Sequence, residues 1–288
     1  MTIMDAEIAG ADIAGPGHQS NRPAAWRECP GQRLGADGAA GIVRPLAEEV
    51  PVGLTYNGLA HAVMMATPAD LEDFATGFSV TEAIVPSAAA IRDLRVTHAS
   101  GGITVDMRIP GDAFARLLAR RRHLTGRTGC GVCGVEDLAA FDPAPPPVPA
   151  GGRVALSAVR AALDGLAARQ VLNARVHMVH GAAWAGPDGA LRLVREDVGR
   201  HNALDKLVGA GLRDGIAFDG GFGLITSRCS YEMVQKAAMA GLTVLVAISA
   251  PTARAVDMAH AAGLTLVALA RHDAQIIFTH QGRIDTAA

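Results

Sequence analysis

Two similar segments near the end of the chain place the strongest constraint on its fold. Residues 240–247 have the sequence Ala-Gly-Leu-Thr-Val-Leu-Val-Ala, and residues 262–268 have Ala-Gly-Leu-Thr-Leu-Val-Ala. In each segment a glycine that can end a helix precedes an unbroken apolar run. Such runs are typical of strands covered on both faces by helices, so they predict a layered α/β sheet.

Composition and pattern divide the chain into four stretches. Residues 1–40 are rich in Ala, Gly and Pro without apolar periodicity, which predicts a disordered extension. Residues 41–141 form a smaller α+β N-terminal domain in this prediction. Five prolines in 142–152 indicate a linker. Residues 153–284 form the layered α/β domain.

The N-terminal domain begins with a predicted hairpin. Residues 51–66 have an extended pattern around a Tyr-Asn-Gly turn at 56–58. Thr67 can cap a following helix, with Pro68 at its first position and an apolar stripe of Leu71, Phe74 and Phe78. A strand pair at 91–97 and 103–109 and a basic helix at 111–123 complete this part.

The second half alternates strands with helices. Predicted helices cover 157–170, 202–210, 231–240 and 252–261, and predicted strands cover 176–185, 190–194, 223–226, 242–248 and 264–270. Ligand sites in such sheets favour the carboxyl ends of the strands. We therefore expect the binding residues near 226–230, 249–251 and 271–272.

Charge and cysteine content exclude several classes of protein. The formal net charge of −2 argues against a protein that coats nucleic acid, and four cysteines are too few for a disulfide scaffold. The N-terminus lacks the basic start and apolar core of a signal peptide, and no uncharged run reaches the length of a membrane span. We expect a cytoplasmic protein with reduced thiols and no membrane contact.

The Cys130-Gly-Val-Cys133 motif is the sharpest candidate for chemistry. Glycines surround both thiols, arginines lie close upstream, and a short helix is predicted from residue 135. Positive charge and a helix N-terminus both favour the thiolate, which is the nucleophilic form. Half of a zinc site and a thioredoxin-like redox pair remain alternatives, although no second Cys-x-x-Cys or His-x₃-His completes a zinc site.

Two polar clusters follow predicted strands in the second half. The first spans 195–206 and the second spans 226–232. Guanidinium, imidazole and amide groups at such positions suit phosphate or guanine, which gives the candidates Arg200, His201, Asn202, Lys206 and Arg228. The alternatives are a solvated helix start for the first cluster and a plain helix cap by Ser230 for the second.

Several motifs in order resemble the FdhD family, the sulfur-carrier accessory proteins of formate dehydrogenase. The matching stretches extend from about residue 43 to 283, and they include Tyr56-Asn57-Gly58, Thr67-Pro68, Asp70-Leu71-Glu72-Asp73-Phe74, Thr128-Gly129-Cys130-Gly131-Val132-Cys133-Gly134, the 195–206 cluster and Thr226-Ser227-Arg228.

The resemblance implies a sulfur-transfer function. Family members take persulfide sulfur from a cysteine desulfurase and deliver it to the molybdenum bis(molybdopterin guanine dinucleotide) cofactor, which is then inserted into formate dehydrogenase. The resemblance implies a sulfurtransferase in which Cys130 carries the persulfide and Cys133 assists or relays the sulfur. It also implies a homodimer. The family's guanine-dinucleotide site corresponds to Leu269, Ala270, Arg271, His272, Asp273 and Ala274, where Leu269, His272 and Ala274 depart from the common family pattern.

The family's second domain is similar in fold to the cytidine deaminases. Deaminase chemistry needs His-x-Glu and Pro-Cys-x-x-Cys around zinc. No histidine here has a glutamate two positions later, and Gly129 precedes Cys130 where a deaminase has proline. We therefore expect the deaminase-like fold with no structural metal. A zinc-dependent deaminase and a dithiol–disulfide oxidoreductase are the alternative functions.

Overall fold

The computed structural model describes residues 23–121, 145–271 and 273–287. Its architecture is mixed α/β, as the sequence predicted. The largest element is a six-stranded sheet with the order β13-β12-β11-β10-β8-β9. These strands are β8 (His180–Ala185), β9 (Leu191–Asp197), β10 (Phe222–Ile225), β11 (Val244–Ala247), β12 (Thr265–Ala268) and β13 (Ile276–Ile277).

The three central strands of this sheet are parallel. β10, β11 and β12 run in one direction, and β8, β9 and β13 pair antiparallel at the flanks. All residues of β11 and β12 are buried, which confirms the prediction from the two similar segments. One face packs on α3 (Leu156–Arg169), and the other on α5 (Arg200–Arg213), α6 (Tyr231–Met239) and α7 (Ala253–Ala262).

A four-stranded sheet forms the N-terminal part. Its order is β4-β3-β6-β5, and its core packs against α1 and α2. The bounds are β3 (Val50–Tyr56), β4 (Leu59–Ala66), β5 (Asp93–Ala99), β6 (Gly102–Arg108), α1 (Leu71–Thr81) and α2 (Gly111–Arg121). The predicted turn at Asn57–Gly58 is confirmed, with both residues at positive φ.

The prediction of a disordered extension over 1–40 is wrong for the residues that the structure describes. β1 (Trp26–Gly35) and β2 (Gly38–Ala47) pair along their whole length in an antiparallel hairpin. The turn sequence Asp37-Gly38 suits a hairpin, and Gly38 has a φ of 100°. Pro30 and the many small residues obscured this signal, because they weaken the strand pattern.

Two further boundaries differ from the prediction. The N-cap of α1 is Asp70 at a φ of 53°, whereas Thr67 lies before the helix and its hydroxyl accepts a hydrogen bond from the Val198 N–H at 3.1 Å. The predicted strand over 176–185 begins only at His180, because the short helix α4 (Val171–Val176) precedes it. A small parallel pair, β7 (Val154–Ala155) with β14 (Ile284–Asp285), also lay outside the prediction.

Candidate functional site

The predicted sulfur-carrying residues lie outside the described residues. Cys130 and Cys133 fall between α2 and residue 145, where the structure makes no statement. Residues 145–152, the described part of the predicted linker, have neither helix nor strand. Within this segment the N–H of Val148 donates to the Ala262 carbonyl at 2.9 Å, so the chain is held at the end of α7 there.

The carboxyl ends of the parallel strands form a continuous edge. The N–H of Cys229, after β10, donates to Ala250 O at 3.1 Å, and the N–H of Leu269, after β12, donates to Ser249 O at 3.2 Å. Beyond β10, Thr226 and Gly181 exchange two hydrogen bonds, which add the start of β8 to the edge. The residues that follow β10, β11 and β12, the start of β8 and the start of α5 are together called the carboxyl edge.

Arg200 and His201 are the first two residues of α5 and belong to the carboxyl edge. The Nε of Arg200 is buried and has no hydrogen-bond acceptor among the described residues. The Nε2 of His201 lies 3.1 Å from Oε2 of Glu232, the second residue of α6, although the angle is not that of a hydrogen bond. The first-turn N–H groups of a helix also lack internal partners. This end of α5 is therefore suited to bind an anion.

His180 belongs to the same edge, although the sequence analysis did not select it. It is the first residue of β8 and pairs in register with Asp197 at the end of β9. Burial lowers the pKa of His180 below its ordinary value, and the positive charge of Arg200 lowers it further. The segment around His180 carries no motif that separates it from the other histidines, so only the strand pairing identifies it.

Asn202 and Lys206 have a different environment from the other candidates. The Asn202 amide donates to Met65 O at 2.8 Å and to Asp197 Oδ1 at 3.0 Å. The Lys206 ammonium is completely buried, 2.7 Å from Asp197 Oδ2, and donates to Thr67 O at 3.0 Å. Asn202 thus connects α5 to the end of β4, and Lys206 connects it to the segment between β4 and α1. Their predicted contact with a ligand stays a prediction.

The segment 269–274 continues the edge beyond β12. Leu269 has a φ of 50°, Ala270 is buried and Arg271 is exposed. The Arg271 N–H donates to Ala274 O at 2.9 Å and closes a turn. Asp273 is exposed in this turn, and His272 lies outside the described residues. Arg228, after β10, is exposed. Together with Arg200 and Arg271 it gives the carboxyl edge three guanidinium groups.

Cys229 is unsuited to thiolate chemistry. Its side chain is fully buried, and burial raises the pKa of the thiol to about 12. A thiol with this pKa is protonated at neutral pH and is a poor nucleophile. Among the residues that the structure describes, no group of His, Cys, Asp and Glu side chains has the arrangement of a metal site. None of the described helices combines the length and apolar character of a membrane span.

Comparisons with known proteins match nearly the whole described chain. The sequence model of the FdhD/NarQ family matches residues 47–285. A sulfur carrier protein FdhD from Cupriavidus necator is 49% identical over 243 residues, which are 84% of this chain and 84% of that protein. The protein of the same name from Xanthomonas euvesicatoria pv. vesicatoria is 49% identical over 240 residues, 83% of this chain and 85% of that protein.

A solved structure shares the fold. It is a crystal structure of a protein from Desulfotalea psychrophila, assigned as a formate dehydrogenase accessory protein. The two structures superpose with a TM-score of 0.71 at 22% sequence identity, over 90% of this chain and 99% of the other. The match extends over both sheets, so the arrangement of the carboxyl edge is that of a known fold.

Proposed function

Since the chain belongs to the FdhD/NarQ family, we propose that it is a sulfur carrier protein required for formate dehydrogenase activity. The observation that carries this proposal is the identity of 49% to sulfur carriers over 84% of both chains. The cationic carboxyl edge supports it, because a molybdopterin guanine dinucleotide presents phosphates for Arg200, Arg228 and Arg271 to bind.

The sulfur chemistry in this proposal belongs to Cys130 and Cys133. The Cys130 thiolate attacks the outer sulfur of a persulfide on a cysteine desulfurase, so that the donor's S–S bond breaks and a Cys130 persulfide forms. The donor cysteine leaves as a thiolate. Attack of the Cys133 thiolate on Sγ of Cys130 then releases sulfide and leaves a Cys130–Cys133 disulfide. The two thiols thereby supply the two electrons that reduce the transferred sulfur.

The carboxyl edge holds the acceptor in this scheme. The molybdenum bis(molybdopterin guanine dinucleotide) is the cargo. The arginine side chains of the carboxyl edge neutralise its phosphates. Formate dehydrogenase then receives the sulfurated cofactor. We also propose that the protein is a homodimer in the cytoplasm. In this proposal residues 153–284 have a deaminase-like fold and form a domain separate from the N-terminal domain 41–141.

Mass spectrometry tests the sulfur-carrier role directly. The purified protein is incubated with a cysteine desulfurase and cysteine, and the gain of one sulfur atom is localised by peptide mapping. We expect the gain on Cys130 or Cys133, its loss in a Cys130→Ala, Cys133→Ala double variant, and no gain on Cys229. Formate dehydrogenase activity in a deletion strain gives the second measurement. Normal maturation with the double variant would refute the proposal.

A further inference from the structure

The carboxylate of Asp197 is completely buried and interacts with four donors. Its Oδ1 accepts hydrogen bonds from the Gly199 N–H at 2.7 Å and from the Asn202 amide at 3.0 Å. Its Oδ2 accepts from the Thr67 N–H at 3.0 Å and lies 2.7 Å from the Lys206 ammonium. An ionised carboxylate has about four acceptor positions, so these donors occupy all of them. Asp197 is therefore equipped to hold other parts of the protein and not to bind a ligand itself.

Three of the four donors belong to the turn between β9 and α5 or to α5 itself. Asp197 is the last residue of β9, and Gly199 is the N-cap of α5. The bond between these two residues closes the turn, as aspartate side chains commonly do two residues before a bonded N–H. The other two donors lie in the first two turns of the helix. Because Arg200 and His201 follow directly after this turn, its conformation sets where both side chains lie.

The fourth donor connects the turn to the segment that follows β4. Thr67 is completely buried, and all three of its polar groups bond to the turn or to α5. Its N–H donates to Asp197, its hydroxyl accepts from the Val198 N–H at 3.1 Å, and its carbonyl accepts from the Lys206 ammonium at 3.0 Å. Thr67 thus braces the turn from the N-terminal part of the chain.

The Lys206 ammonium cancels the charge that Asp197 brings to this region. A carboxylate near the N-terminus of a helix occupies the position that an anionic ligand prefers, and it repels that ligand. At 2.7 Å from Asp197, Lys206 forms a pair with no net charge. The pair therefore fixes the turn without repelling a phosphate at the start of α5.

We propose that Asp197 is a positioning residue of the cargo site: it holds the turn that presents Arg200 and His201 to an anion at the carboxyl edge, with Thr67 as its brace. This inference rests on the proposed function, because it concerns the site that holds the nucleotide end of the cargo. Asp197 acts through the turn and does not contact the ligand.

Isothermal titration calorimetry with guanosine diphosphate tests this role. Asp197→Asn should weaken binding about 10-fold, because the binding groups lose the partners that align them. A role through charge alone predicts the opposite sign, since Lys206 is then unneutralised and attracts an anion. Asp205→Asn is the matched control: Asp205 is also a buried carboxylate paired with a lysine, but it bonds to Thr81 and Lys236. This control should lose stability and keep its affinity.

Nuclear magnetic resonance locates the effect. The amide resonances of Arg200 and His201 should shift when guanosine diphosphate saturates the unmodified protein or Asp205→Asn, and they should shift less at saturation in Asp197→Asn. Thr67→Val keeps the test decisive if Asp197→Asn does not fold. It removes the hydroxyl that accepts from the Val198 N–H, so it should weaken binding about 3-fold or more. Circular dichroism verifies the fold of each variant.

Three outcomes would overturn the proposal: no binding by the unmodified protein, unchanged or tighter binding by the folded turn variants, or an equal loss of affinity in Asp205→Asn. Sulfur loading of Cys130 and Cys133 is measured separately on the same samples. We expect full loading together with weakened nucleotide binding in Asp197→Asn. Absence of loading in the unmodified protein would refute the sulfur-carrier role and leave the comparison of affinities intact.

Discussion

Gly77 of α1 and Gly209 of α5 cross with their backbones in direct contact. A Cβ atom on Gly77 would lie 1.8 Å from the Asp205 carbonyl oxygen, and one on Gly209 would lie 1.8 Å from the Asp73 carbonyl oxygen. No side chain larger than hydrogen fits at either position. This crossing joins the N-terminal sheet, through α1, to the six-stranded sheet, through α5, and it sets the position of Arg200 and His201 at the start of α5.

Substitution at this crossing is expected to destabilise the protein strongly. Gly77→Ala should lower the free energy of unfolding by at least about 3 kcal/mol, because the two helix backbones must separate to admit the methyl group. Urea denaturation measures the change. Gly165→Ala in α3 is the control: its Cβ would meet only Leu191 Cδ1, at 3.6 Å, so the change should be neutral or stabilise by up to about 1 kcal/mol. Equal effects of the two changes would contradict this account.

A buried ion pair lies beside the crossing. The Lys236 ammonium is 2.9 Å from both carboxylate oxygens of Asp205, 3.0 Å from Thr81 Oγ1 and 2.8 Å from Glu82 Oε1. Lys236→Met should cost about 3–5 kcal/mol, because it leaves the Asp205 carboxylate buried without its cation.

A double-mutant comparison separates this effect from the loss of packing. Asp205→Leu combined with Lys236→Met should be more stable than Lys236→Met alone, since no buried charge remains. Chemical denaturation of the unmodified protein, the two single variants and the double variant provides the comparison. A double variant with the summed cost of both single changes would show that the pair is not coupled.

Arg200 is expected to contribute directly to anion binding at the carboxyl edge. Guanosine diphosphate is a suitable probe for the nucleotide end of the proposed cargo. Arg200→Ala should weaken its binding about 10-fold or more, the loss of one hydrogen bond to a charged group. Isothermal titration calorimetry measures the affinity. Arg192→Ala is the control, since Arg192 lies on β9 in an exposed pair with Asp188, and unchanged binding in Arg200→Ala would remove Arg200 from the site.

His180 should report the charge of the same site. Its pKa lies below the ordinary value of 6.5 because of burial and the Arg200 charge, so Arg200→Ala should raise the pKa without restoring it fully. Nuclear magnetic resonance of the imidazole gives both values. An unchanged pKa in the variant would place Arg200 too far from His180 to act on it.

The same shift predicts a pH dependence of stability. Below pH 6.5 the unfolded chain protonates His180 while the folded protein resists it, so the unfolded state binds more protons and stability falls as pH falls. His180→Gln should reduce this fall between pH 6.5 and the lowered pKa. Thermal unfolding of the two proteins across this range measures the difference, and identical slopes would contradict the prediction.

Local sequence patterns determined much of the fold. The apolar runs of β11 and β12, the Asn57–Gly58 turn and the stripe of α1 are short-range signals, and each element lies close to its predicted position. The hairpin of β1 and β2 was not predicted. Its side chains are mostly exposed, so no alternation of apolar and polar residues marks its strands.

Residue types and order along the chain also identified the family and the candidates Arg200, His201 and Arg228. Only the tertiary structure decided what surrounds them. Lys206 pairs with Asp197 and bonds to Thr67, which is 139 residues away, and His180 joins the edge through strand pairing. Such contacts depend on how sheets and helices pack across the chain, whereas a sequence pattern records only the preferences of neighbouring residues.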